Sequence, residues 1–145
     1  MLYTKEEIKN IIPHRAPMLL VDGILDIKMN EDGKNVIKGV KKFTGEEEFF
    51  KGHFPNLPVV PGVLVLEAIA QTGAVYCLSM DEYKGKTAFL VGAENVKWRR
   101  SVLPKDEMIM EVTEVKIRHG IGKAHGEAYV NGELACMADL IVAVR

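Results

Sequence analysis

The sequence predicts an α+β domain, a curved antiparallel sheet wrapped around one buried helix. Three observations carry this. From Val59 to Met80 the only formal charge is Glu67, and a helix apolar nearly all round is what a core helix looks like. From about residue 87 onward the chain reads as successive strands, with apolar and polar residues alternating where one face is wet. The length of 145 residues suits one domain, residues 1–145, large enough to hold a core without a metal or a disulfide.

The elements follow in order. Thr4-Lys5-Glu6-Glu7 fits a capping box at a helix start. Ile8, Ile11 and Ile12 give that helix an apolar stripe, and Pro13 stops it. Leu19 to Ile27 reads as a strand, and Asn30-Glu31-Asp32-Gly33 as a turn into a second strand ending near Phe43. After the apolar helix come strands at about 87–100, 106–118, 122–131 and 134–144, six strands in all. Lys123, His125 and Glu127 alternate with Ala124, Gly126 and Ala128, a period of two with one wet face. Asn131-Gly132 is the strongest hairpin signal in the chain. The last strand is apolar on both faces except Asp139, which predicts an interior place in the sheet.

Composition removes several classes of function. Nineteen Lys and Arg against twenty Asp and Glu give a net charge of -1, without the basic surplus of a nucleic-acid binder. Cys77 and Cys136 sit in apolar runs and read as buried free thiols. No Cys/His spacing suits a metal, so none is expected. The first residues lack the basic head and apolar run of a signal peptide, so the expected compartment is the cytosol. Val59 to Met80 is long enough to suggest a membrane span. Its opening proline and glycine, with Glu67, Gln71, Thr72 and Gly73 inside, argue for a core helix and against insertion.

The residues that suggest chemistry lie where the second strand joins this helix. Pro55, Pro58 and Pro61 stiffen the loop that carries His53. Histidine titrates near neutrality and can serve as a general base. Pro61 suits the first helical turn. Gly62 then leaves its amide bare at the positive end of the helix dipole, as an oxyanion hole requires. Glu67 lies about a turn and a half further on, in apolar surroundings that favour the protonated form of a carboxyl and would let it act as an acid. Gln71, four residues on, shares its face and can orient it. These residues suit proton abstraction beside a thioester carbonyl and loss of a β-hydroxyl. A loop histidine or a helix glutamate is equally compatible with a structural role, and the residues alone leave both readings open.

The segment from Gly52-His53-Phe54-Pro55-Asn56-Leu57-Pro58 through Val59-Val60-Pro61-Gly62-Val63-Leu64-Val65-Leu66-Glu67 to Ala68-Ile69-Ala70-Gln71 resembles the signature of the 3-hydroxyacyl-acyl-carrier-protein dehydratases of the FabZ type. His14-Arg15-Ala16-Pro17-Met18-Leu19-Leu20-Val21-Asp22 resembles that family's N-terminal motif, and the resemblance runs nearly the whole chain. It implies the hot-dog fold and dehydration of a (3R)-3-hydroxyacyl chain to a trans-2-enoyl chain in fatty acid elongation. No cofactor is implied. It also implies a homodimer, often a trimer of dimers, and an acyl carrier protein as partner. His53 and Glu67 are the implied catalytic pair, meeting across the dimer interface. Gly62, with Val63 beside it, is the implied thioester-binding backbone, and Phe54, Pro61 and Gln71 support the site. Glutamate at 67 favours this branch over the sister dehydratase-isomerases. Ala16, Gly23 and Pro104-Lys105-Asp106 depart from the family pattern, which leaves chain-length preference open.

Lys97, Arg99, Arg100 and Lys105 form a basic cluster near Trp98, readable as a solvated edge or as a dock for an acidic carrier. His14 and Asp22 read as anchors of the N-terminal segment, and His119 and His125 suggest no role. The rival activities are thioester hydrolysis, isomerisation to a cis-3-enoyl chain, and acyl binding without turnover. Enoyl product without free thiol would separate the first of these from dehydration.

Overall fold

The computed structural model describes residues 1–145, the Val115 side chain excepted. The capping box forms as expected: the Thr4 hydroxyl accepts from the Glu7 amide, and Glu7 reaches back to the Thr4 amide. It closes a two-residue strand β1 (Tyr3–Thr4) and opens a short helix α1 (Lys5–Lys9). Ile8 and Ile12 are buried.

The expected strand Leu19–Ile27 begins later, as β2 (Gly23–Met29). Residues 19 and 20 do not join the sheet because their amides are used elsewhere. Leu19 donates to Arg15 and Leu20 to the Gln71 side chain. The turn at Asn30 forms, its side-chain oxygen accepting from the Asp32 and Lys34 amides, and leads to β3 (Asn35–Lys42). A short helix α2 (Phe49–Gly52), unforeseen in the sequence, follows. It stands because Phe49 and Phe50 pack edge-on against Phe43, centroids 6.3 Å away in both cases, a packing that neither helical nor strand periodicity specifies.

The apolar run becomes α3 (Gly62–Leu78). Four long strands complete the chain: β4 (Ala88–Trp98), β5 (Glu107–Arg118), β6 (Ile121–Val130) and β7 (Glu133–Val144). All seven strands form one antiparallel sheet in the order β1-β2-β3-β5-β6-β7-β4. Asn131 and Gly132 both take positive φ, the primed turn that matches strand twist. The last strand is interior, between β6 and β4. The other long strands fall within two residues of their expected bounds.

The core lies between the sheet and α3. Val65, Ala68, Ile69 and Val75 share this core with Met108, Met110 and Val112 of β5 and with Ala128, Ala138 and Leu140 from the neighbouring strands, while buried Thr72 lies against Gly39 of β3. Each fully buried Val, Leu, Ile or Met side chain contributes roughly 1.5–3 kcal/mol. Gly126 sets how closely sheet and helix approach, because a Cβ there would overlap the Ile69 side chain. Cys77 and Cys136 are buried free thiols, each pushed up to about 11, chiefly by burial. No helix is long and apolar enough to cross a membrane among the described residues.

Candidate active site

His53 caps the C-terminus of α2 and begins the proline-rich loop. Backbone bonds pin that loop: Val59 donates to the His53 carbonyl at 2.9 Å, Val60 to Val102 at 2.8 Å, and Phe54 and Leu57 to each other. The Ala16–Pro17 and His53–Phe54 peptides are cis. The His53 ring is fixed from two sides. Its Nδ1 lies 3.0 Å from the Val59 carbonyl, and the Phe54 ring stacks on it with centroids 4.1 Å apart. A carbonyl only accepts, so Nδ1 is the donor. The neutral ring therefore carries its lone pair on Nε2, as a general base requires.

His53 lines an open cavity of about 330 Å³ together with Val59, Gly62, Trp98 and Val102. Pro61 is the N-cap of α3 and Gly62 its first residue. Among the described residues no backbone carbonyl accepts from the Gly62 or Val63 amides, which sit at the positive end of the helix dipole. Trp98 explains why residue 62 is glycine. Its Nε1 donates to the Gly62 carbonyl at 2.8 Å, and a Cβ on Gly62 would lie 2.7 Å from that nitrogen. Trp98 was legible only as a neighbour of basic residues, since nothing local predicts where an indole N–H finds its acceptor.

Glu67 is held by Gln71, as the four-residue spacing predicts. Gln71 is 1 % exposed. Its Oε1 accepts from the Leu20 amide at 2.8 Å, so Nε2 is the donor, at 2.7 Å to the Met18 carbonyl and 2.7 Å to Glu67 Oε2. The expected dry setting is corrected here. The Glu67 side chain is 25 % exposed and faces a cavity of about 280 Å³ lined also by His14, Ala70, Phe89 and Val142. His14, read as a structural anchor, has its Nε2 3.6 Å from Glu67 Oε2. The one signal for it was its place in the N-terminal motif.

His53 and Glu67 thus line two separate cavities of one chain. The strand expected at about 87–100 ends at Trp98, so Arg99 and Arg100 of the basic cluster lie beyond it. Both line the His53 cavity. Arg100 is already paired, 3.2 Å from Glu133 and 3.8 Å from Asp106, whereas Lys97, Arg99 and Lys105 are exposed. No cluster of three or more His, Cys, Asp or Glu suited to a metal occurs among the described residues.

A FabA-like domain model matches residues 12–139. The chain is 49 % identical over 144 residues to the 3-hydroxyacyl-acyl-carrier-protein dehydratase FabZ of Exiguobacterium sibiricum, covering 99 % of this chain and 100 % of that one. The chain belongs to the FabZ dehydratase family. The FabZ enzyme of Bacillus cereus is 47 % identical over 139 residues, covering 96 % of this chain and 94 % of its own. FabZ-family membership carries the hot-dog fold, and solved structures agree. The dehydratase heterocomplex ApeI:P of Xenorhabdus doucetiae superposes with a TM-score of 0.75 at 17 % identity over 95 % of this chain and 90 % of that one. Thioesterase HI1161 of Haemophilus influenzae gives 0.62 at 17 % identity, covering all of this chain and 95 % of its own.

Proposed function

We propose that this chain removes water from a (3R)-3-hydroxyacyl thioester on acyl carrier protein, giving the trans-2-enoyl thioester. The observation that carries the proposal is the Nδ1 bond from His53 to Val59. It leaves the neutral ring's Nε2 lone pair available in a cavity that also holds the start of α3. Nε2 takes the proton from C2. The electron pair develops on the thioester oxygen, where the Gly62 and Val63 amides stabilise it. The pair then forms the C2–C3 double bond as the C3–O bond breaks. Glu67 supplies the proton that turns the leaving hydroxyl into water, directly or through a water it orients. Phe54, Pro61 and Gln71 keep these groups in place. Nothing is oxidised or reduced, so no cofactor is required.

A second copy completes the site. His53 and Glu67 occupy separate cavities of the monomer, which supports pairing His53 of one protomer with Glu67 of the other. The β4 edge supports the same reading: Phe89, Leu90 and Val91 are 47 %, 39 % and 52 % exposed, and Phe89 and Leu90 line the Glu67 cavity. Bare apolar edges of this kind are normally covered. The dimers assemble as a trimer of dimers, work in the cytosol, and dock the acidic carrier through Lys97, Arg99 and Lys105.

The test is incubation with 3-hydroxyacyl carrier substrates, with products resolved by mass and double-bond position. Trans-2-enoyl carrier is the expected product. Release of free carrier thiol, or binding without turnover, would overturn the proposal.

A further inference from the structure

We infer that His14 is a positioning residue for the dehydration just proposed, resting on that reading: it holds Oε2 of Glu67 so that Oε1 is the oxygen that meets the leaving hydroxyl. His14 and Glu67 belong to the same chain and line the same cavity. One carboxyl oxygen takes both protein contacts. Gln71 Nε2 donates to Oε2 at 2.7 Å, and His14 Nε2 lies 3.6 Å from that same oxygen. Among the described residues no group bonds Oε1. The segment that delivers His14 is pinned at both ends. Arg15 Nη1 donates to the His14 carbonyl at 2.7 Å and to the Ile12 carbonyl at 3.1 Å, and Arg15 Nη2 to the Lys9 carbonyl at 2.9 Å. Further on, the Met18 carbonyl and the Leu20 amide bond the Gln71 side chain. The residue that holds Glu67 therefore also anchors the segment that brings His14 to it.

The other ring nitrogen fixes what His14 can do. Its Nδ1 is buried and bonded by no protein group among the described residues. A proton relay needs a partner at each nitrogen, so His14 does not pass protons to Glu67. A neutral ring carries one N–H. On Nδ1 that hydrogen would be a buried donor without an acceptor, and the Nε2 lone pair would point at a carboxyl oxygen. On Nε2 it points at Oε2 and only an acceptor goes unpaired; as with backbone groups, a bare acceptor is tolerated more often than a bare donor. At 3.6 Å the contact is too long for a hydrogen bond in the resting protein, and such contacts tighten when the reacting complex forms. Two donors aimed at Oε2 leave the acid hydrogen on Oε1. In the reaction Oε1 gives its proton to the C3 oxygen and keeps the bonding pair, and the C3–O bond breaks with its pair as water departs. The charge that then appears on Glu67 is met at Oε2 by the His14 and Gln71 N–H groups, whose bonds strengthen once the acceptor is ionised. Exchange with water returns a proton to Glu67 and removes the one that His53 took from C2. His14 thus acts on the step that breaks the C3–O bond and not on substrate binding.

The experiment measures kcat and KM for a carrier-bound 3-hydroxyacyl substrate in the unaltered protein and in His14→Phe, His14→Gln and His14→Asn. Phenylalanine keeps a planar ring and removes both nitrogens. A glutamine amide nitrogen reaches the place of Nε2, whereas an asparagine amide nitrogen reaches only the place of Nδ1. His14→Phe should lower kcat by roughly 10–100-fold, the cost of losing one hydrogen bond to a charged group, with KM within about twofold of the unaltered protein's. His14→Gln should recover most of that loss and His14→Asn little of it, in variants whose melting profiles match. Undiminished kcat in His14→Phe, a loss confined to KM, or turnover in His14→Asn equal to or above that of His14→Gln would overturn the inference and leave the dehydration intact. The glutamine–asparagine comparison decides the matter if His14→Phe does not fold. Nitrogen NMR of histidine-labelled protein at about pH 8, above the ordinary histidine value, reads the tautomer independently of turnover. A hydrogen on Nε2 of His14 is expected, and one on Nδ1 would overturn the inference. Failure of the unaltered protein to dehydrate any chain length would overturn the dehydration reading and this inference with it.

Discussion

His53 is locked by one hydrogen bond and one stacked ring. His53→Ala should lower turnover by about 10²–10⁴-fold, the range for losing a general base, while circular dichroism and the melting profile stay close to the unaltered protein's. Near-normal turnover in a folded variant would remove His53 from its proposed role. Gln71 makes a different expectation. It is fully buried and uses its amide on Leu20, Met18 and Glu67. Gln71→Leu strands those partners, so it should cost about 1–3 kcal/mol of stability and slow the folded fraction by roughly 10–100-fold through misplacement of Glu67. Denaturant titration and kinetics on the same sample separate the two losses. Much of this was legible beforehand: His53, Gly62, Glu67 and Gln71 all stood out by residue type and spacing. Trp98 and His14 did not, because each acts through a partner tens of residues away, the Gly62 carbonyl and the Glu67 carboxylate.

The elements were legible in proportion to how local their causes are. The capping box, the Asn131-Gly132 hairpin and the apolar run of α3 each announce themselves within a few residues. The start of β2 depends on Gln71, which only folding brings to Leu20, and α2 depends on the Phe43–Phe49–Phe50 packing, which no periodicity specifies. One inter-strand device has a measurable consequence. His125 on β6, to which no role was assigned, lies 2.7 Å from Asp139 on β7 and 2.9 Å from Glu127 on its own strand. Asn95 of β4 donates to Asp139, Tyr129 donates to Glu127, and Glu94 and Lys123 flank Asp139 in the adjoining cavity. Burial pulls His125 down, but its bonds to Asp139 and Glu127 prevail and raise it above the ordinary histidine value. The charged ring thus stabilises the fold fully below about pH 6.5, the unfolded value, and that contribution is lost as pH rises through the raised native value. Asp139 and Glu127 are both held low, so their share is present above the usual carboxylate range and disappears on acidification. His125→Gln should flatten the fall in stability on the alkaline side of pH 6.5. Denaturant midpoints across that window check this, and an unchanged slope would show that the cluster does not couple to folding.

The whole molecule is a surface as well as a site. With a net charge of -1, the carrier docking proposed above has to rest on a local field: Lys97, Arg99 and Lys105 are exposed, and Arg99 lines the His53 cavity. Single exposed charges contribute little, roughly 0.2–1 kcal/mol each. Reversing all three together should raise KM for carrier-bound substrate and weaken its salt dependence, with a carrier-free thioester serving as the control substrate. Equal losses on both substrates would assign the cluster to the fold. The central claim is that two chains share each site, and subunit mixing tests it most directly. His53→Ala and Glu67→Ala proteins are each expected to be nearly inactive. Equal mixing with free exchange makes half of the dimers mixed, each with one intact site of two, so about a quarter of normal turnover should return. Exchange confirmed by native mass spectrometry with no recovery of activity would contradict the shared site.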